Sequence, residues 1–208
     1  MEEGIYFKPW VGPNYKEGID GKKVMVLGHC HYCDDGSADE EFTNSIINGY
    51  IDWIRQSRTI ERYEDGSIKD RWVRTYENFA KAFLGYKPNS DEISLVWERV
   101  LFYNYVQVAV PTADSKPSSK DYANSRKGFI NVISEYEPDI IFVWGDVYNK
   151  TPDWNGKRIE DVKAGDLSSI RWEYLLPSGK KCHMIKIHHP SQGFSWEKWH
   201  QIIKKAME

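Results

Sequence analysis

Four short runs of apolar or β-branched residues constrain this chain more than any other feature: Val24 to Leu27, Val100 to Val106, Ile140 to Trp144 and Met184 to Ile187. Each is too short for a helix that holds in water. The last three are apolar almost without interruption, which is the pattern of strands covered on both faces in a parallel sheet. Helical stripes lie between them. After Ser37, with Glu40 three residues on as a capping box, Phe42, Ile46, Ile47, Tyr50, Ile51 and Ile54 recur at three-to-four spacing. Further helices are read over Tyr76 to Leu84, ending near Gly85 and Pro88, and over Tyr122 to Tyr136, ending before Pro138. The last helix starts near Trp196 with Ser195 as N-cap. Strands alternating with helices predict an α/β fold, a three-layer sandwich around a central, mostly parallel four-stranded sheet.

With 208 residues, 40% apolar and 28% charged, the chain has the composition of one globular domain spanning 1–208, with no linker or repeat. Residues 1–20 read as an extended, aromatic and proline-bearing N-terminal arm that wraps the domain or borders a pocket mouth. Trp154 to Leu176 reads as a long irregular excursion, and Arg171 to Leu176 with Lys180 to Met184 as a hairpin whose second arm joins the sheet. The start of the chain shows no basic-then-apolar leader and no run approaches a membrane span, so a cytoplasmic protein with no membrane partner is expected. Three cysteines, an odd set, fit a reducing compartment.

A net charge of −3 excludes the uniformly basic body of a non-specific nucleic-acid binder, so any polyanion site must be local. The segment from Arg55 to Arg74 carries Arg58, Arg62, Lys69 and Arg71, but Glu61, Glu64, Asp65 and Asp70 dilute it, and a salt-bridged solvent face is the simpler reading. Thirty aromatic residues (9 Trp, 13 Tyr, 8 Phe) exceed what a core of this size uses, which points to flat ligands or to an aromatic-rich core.

In an open α/β sheet the site forms where loops leave the carboxyl ends of the strands. Those ends carry, in order, Gly28-His-Cys-His-Tyr32, Leu101-Phe-Tyr-Asn104, Phe142-Val-Trp-Gly145 and His189-Pro-Ser191. In this order and position the chain, over about residues 22 to 207, resembles the uracil-DNA glycosylase superfamily. The resemblance implies hydrolysis of the N-glycosidic bond of uracil or another damaged base in DNA, with DNA as partner. It assigns Asn104 to read the base edge, which suits an amide because it both donates and accepts. It assigns His189 to donate a hydrogen bond to the oxyanion that develops on the leaving base. Tyr32 would exclude a 5-methyl group, Gly28, His29 and Ser191 would line the base site, and Phe42 would stack on the flipped base or belong to its helix's apolar stripe.

Two positions depart from the pattern. Cys30, flanked by His29 and His31, stands where relatives place an acidic or amide residue to position the water; His29, His31 or Asp34 are the groups left for that role, and Cys30 is itself a candidate thiol nucleophile. Gly193 stands where a leucine wedge is common, leaving Phe194 as wedge or as hydrophobic staple for the last helix. These departures keep open a second reading, a catalytically silent relative binding nucleic acid, nucleotide or a protein, and a third, a hydrolase of free nucleosides or nucleotides. No cofactor is expected: the iron–sulfur cluster of some relatives needs four cysteines. Nor is a metal, since Cys182 and His183, as neighbours on a strand, point to opposite faces and cannot complete a site with His29, Cys30, His31 and Cys33.

Overall fold

The computed structural model describes residues 4–56, 72–112, 114–150, 156–191 and 193–208. In chain order the elements are β1 (Trp10–Val11), β2 (Val24–Gly28), β3 (His31–Tyr32), α1 (Phe42–Gln56), α2 (Val73–Leu84), α3 (Ser90–Glu98), β4 (Val100–Asn104), β5 (Ala109–Val110), α4 (Ser119–Tyr136), β6 (Ile140–Trp144), a 3₁₀ turn over Gly145–Lys150, β7 (Gly156–Ala164), β8 (Leu167–Leu175), β9 (Lys181–Ile187) and α5 (Trp196–Met207).

The four apolar runs form the parallel centre of a mixed α/β sheet: β2 lies between β4 and β6, and β9 follows β6, all pairs parallel. The sheet is not four-stranded, however. It has seven strands in the order β1-β4-β2-β6-β9-β8-β7, and three of them are antiparallel additions. The N-terminal arm supplies the first, with Trp10 opposite Phe102. The stretch expected to be an irregular excursion supplies the other two: from Gly156 it is a regular hairpin, β7–β8, turning through Gly165-Asp166, and β8 pairs with β9 with Leu175 opposite Lys181. The hydrophobic pattern of this hairpin is blurred because one of its strands is the sheet edge and carries Lys157, Arg158, Glu160, Asp161 and Lys163 along its length.

Every residue of β2, β4 and β6 is buried, and alternate residues serve opposite faces. Val24, Val26, Val100, Phe102, Ile140, Phe142 and Trp144 meet the apolar stripes of α1, α2, α3 and α5. Met25, Leu27, Leu101, Tyr103, Ile141 and Val143 meet Phe129, Val132 and Ile133 of α4. This two-sided burial is why the runs read as continuous.

Local chemistry sets the helix ends. Ser195 caps α5, its Oγ accepting from the Lys198 amide, and Phe194 at N′ stacks on Trp199 at N4 with ring planes 7° apart. Phe194 is therefore a hydrophobic staple rather than a wedge. The first helix does not start at Ser37. The Ser37 and Glu41 amides donate to Asp35 and Asp39 carboxylates, so the acidic side chains hold that segment in turns and α1 begins at Phe42. Helix α3 is an element the periodicity missed, nine residues with a capping box between Asn89 and Glu92. Of the basic segment, Arg58, Arg62, Lys69 and Arg71 lie outside the described residues, while Arg55 pairs with Glu98. Among the described residues no helix is long and apolar enough to cross a membrane.

Candidate functional site

A cavity of about 410 Å³ opens at the carboxyl ends of the parallel strands. Gly28, Asn104, Trp144 and His189 come to it from the ends of β2, β4, β6 and β9, and His29, Cys30, His31 and Tyr32 from the loop after β2. Ile46 of α1, with Trp72, Thr75 and Tyr76 at the start of α2, closes the opposite side, and Phe102 lies beneath Asn104 on the same face of β4. Among the described residues the lining contains no Asp, Glu, Lys or Arg. The described lining offers rings, an amide and imidazoles, groups that suit a planar heterocycle.

Backbone pairing fixes the first loop. The Tyr105 and Val106 amides donate to the Gly28 and His29 carbonyls, and β3 pairs in parallel with β5, His31 opposite Ala109. Gln107 braces the other side of this junction. Its Nε2 donates to the Asn104 carbonyl at 2.6 Å, and its Oε1 accepts from the Tyr6 and Phe7 amides at 2.9 and 2.8 Å.

Asn104 is buried, and its amide nitrogen lies 3.2 Å from both ring nitrogens of His31. A point equidistant from the two at that range lies over the ring face, because in the ring plane it would collide with carbon. The amide oxygen rests against Gly28, where a Cβ would approach it to 2.1 Å, so the end of β2 needs glycine to admit the amide. His31 is a buried platform: its Nε2 shares a 2.8 Å hydrogen bond with the hydroxyl of Thr43, and Phe7 and Phe42 pack edge-on around it at centroid distances of 4.7 and 5.2 Å. Phe42 thus walls His31 from outside the cavity lining.

His189 stands edge-on to the Trp144 indole, at 5.7 Å between centroids, and its Nδ1 is 2.9 Å from the Ser191 hydroxyl. With that hydroxyl donating, Nε2 carries the proton. Ser191 itself is exposed and acts on the site through the imidazole. Gly145, at φ +71°, turns the chain sharply after Trp144, close enough to His189 that a Cβ at this position would lie 3.5 Å from the His189 Cβ.

His29 shares a 2.5 Å hydrogen bond between Nε2 and the Tyr122 hydroxyl of α4, and Lys150 sits 4.9 Å over the Tyr122 ring. The Cys30 thiol is 3.7 Å from His29 Nδ1. Burial drives the electrostatics here. It lowers His29 and brings His31 and His189 down to about 4, with the charges of His29 and His188 adding to the effect on His189. All three imidazoles are neutral at pH 7. Burial pushes the Cys30 thiol up, partly offset by a hydrogen bond with Tyr32, so it remains protonated and lacks the character of a nucleophile. Tyr32, 49% exposed, and Trp72, 43% exposed, form the cavity rim, so Tyr32 borders the mouth rather than sealing the floor.

Seven of the nine residues expected at the site therefore line one cavity: Gly28, His29, Cys30, His31, Tyr32, Asn104 and His189. Phe42 and Ser191 support it from behind. Sequence reasoning missed Thr75, Tyr76, Trp72 and Ile46, which reach the cavity only through helix packing, and Phe102, which strand alternation from Asn104 would have found. Asp34, a candidate for water positioning, is exposed and absent from the lining. Among the described residues no group of three or more His, Cys, Asp or Glu side chains is arranged to hold a metal ion. No model of a known protein family matches the chain, and no curated protein is significantly similar to it.

Proposed function

We propose that the protein is a divergent DNA glycosylase that hydrolyses the N-glycosidic bond of uracil or another damaged base. The observation that carries this reading is that Asn104 and His189 line one aromatic-walled cavity at the ends of parallel strands, without a charged side chain among its described lining residues. A base inside a duplex must be flipped out to be attacked, and such a cavity replaces its lost stacking with Tyr76, Phe102 and Trp144 while the amide takes its Watson–Crick edge. His189, neutral and with Nε2 protonated, donates to the base oxygen as the C1′–N bond breaks and its electron pair leaves on the base. A water oxygen bonds to C1′, its proton passes to His29 or to solvent, and the base takes up a proton from solvent. His29 is the neutral imidazole suited to that transfer because Tyr122 orients its ring.

The test is strand cleavage by alkali after incubation with oligonucleotides containing uracil, hypoxanthine or xanthine. His189→Ala and Asn104→Ala are each expected to reduce release of the base by about 10²–10³-fold. Absence of abasic product from every substrate, with the protein folded, would overturn the reading. One observation favours a second reading, binding without hydrolysis: no carboxylate lines the cavity among the described residues to hold the attacking water. Tight binding of a uracil oligonucleotide with no abasic product would select it.

A further inference from the structure

We propose that His31 is a positioning residue that fixes which way round the Asn104 amide is presented, and that the buried chain Thr43–His31–Asn104 thereby makes the cavity accept a uracil-type edge and reject a cytosine-type edge. The uracil part of this inference rests on the glycosylase reading; the amide orientation does not.

The two ends of the amide meet unlike surroundings. Its nitrogen lies over the His31 ring, 3.2 Å from both ring nitrogens, and its oxygen lies against Gly28. The face of a neutral imidazole is electron-rich: it attracts N–H groups and repels a carbonyl oxygen. Turning the amide over would place the oxygen on that face. The ring cannot tilt away to accommodate the turn, since Thr43, itself fully buried, holds Nε2 at 2.8 Å and Phe7 and Phe42 close the remaining sides. Nothing in the chemistry of the amide itself makes this choice, because both orientations occupy the same volume.

The choice matters for recognition. Uracil offers an acceptor at position 4 and a donor at position 3, and cytosine offers the reverse. With His189 fixing the other end of the base, an amide held one way pairs with one pyrimidine and opposes the other at both positions. An amide able to turn pairs with either. Discrimination therefore resides in the platform beneath Asn104 rather than in Asn104 alone.

Two measurements on the full chain test this. In the ¹H–¹⁵N spectrum, the Asn104 side-chain amide protons, assigned by their loss in Asn104→Asp, are expected upfield of ordinary side-chain amides because of the His31 ring current, and should move back in His31→Gln. Ordinary positions in the wild type would overturn the orientation. The second measurement is fluorescence anisotropy with single-stranded oligonucleotides carrying one 2′-fluoro-2′-deoxyuridine or 2′-fluoro-2′-deoxycytidine, which resist cleavage. The wild type should favour the uracil probe, and His31→Gln should reduce the ratio of the two affinities at least about tenfold. His31→Phe, which keeps a ring face, should retain most of the preference. A variant that weakens both probes equally has lost only structure, and that result in His31→Gln overturns the specificity role. If His31→Gln does not fold, Thr43→Val, which releases the ring, is held to the same criterion, with Thr43→Ser restoring the preference. If the wild type binds neither probe, the glycosylase reading and the uracil preference both fall, while the amide resonances still decide the orientation.

Discussion

Three imidazoles border the cavity, and burial above all, with the charges of His29 and His188 adding to it at His189, keeps them neutral, so the site works through donors, acceptors and ring faces. This carries a cost that pH exposes. Unfolded, His31 and His189 titrate near 6.5, and folded they titrate near 4. Between those values the unfolded chain binds more protons, so stability is complete above about pH 6.5, falls as pH drops toward 4, and levels off below. Denaturant melts across this window should lose several kcal/mol, with a shallower slope in His31→Gln. A flat profile would contradict burial as the cause. At this scale the sequence was informative where a residue sits at a strand end, since position along the chain then fixes position in space. Asn104, Gly28 and His189 are such cases. It was silent on Thr43, Gln107 and Tyr122, which act on the site across 12, 3 and 93 positions of chain and whose types, hydroxyl and amide, are common on any surface.

At the scale of elements, the apolar runs located the parallel strands and the three-to-four stripes located α1, α2, α4 and α5. What failed was a boundary and a short helix. Ser37 lost its expected capping role because Asp35 takes the Ser37 amide that Glu40 would have accepted from and Asp39 holds the Glu41 amide in a further turn, and α3 shows only Ile93, Val96 and Trp97 as buried apolar positions, too few to mark a stripe. The reciprocal bonds between Asn89 and Glu92 were nonetheless written in the sequence as Asn-x-x-Glu. They start the helix that carries Trp97, whose ring meets Tyr76 of the cavity wall at 5.2 Å. Asn89→Ala should therefore cost about 1 kcal/mol in a thermal or denaturant melt, while Ser90→Ala, next to it, should cost much less. Equal losses would mean that the cap does not set the helix start.

Over the whole molecule, the sheet is bounded by two different edges. On one side β7 places Lys157, Arg158, Glu160, Asp161 and Lys163 along the outermost strand, which discourages pairing with another chain. On the other, two residues of β1 cover β4, which is apolar from Val100 to Tyr103. Deleting residues 1–11 would uncover that strand and also remove Phe7 from His31. Such a protein should melt several degrees lower and associate with rising concentration in size-exclusion chromatography; an unchanged elution volume would show that the arm is dispensable. The number of strands was the part of the architecture least legible in advance, because edge strands are half exposed and their residues are chosen for solubility as much as for pairing.

The complete burial of β2, β4 and β6 has one more consequence. Amide hydrogens along those strands exchange with solvent only when the sheet as a whole opens, so the floor on which Gly28, Asn104 and Trp144 stand is already as rigid as the molecule becomes. A ligand arriving there has little left to order beneath it, and the entropy it forfeits comes from its own freedom and from the helical wall at Trp72, Thr75 and Tyr76.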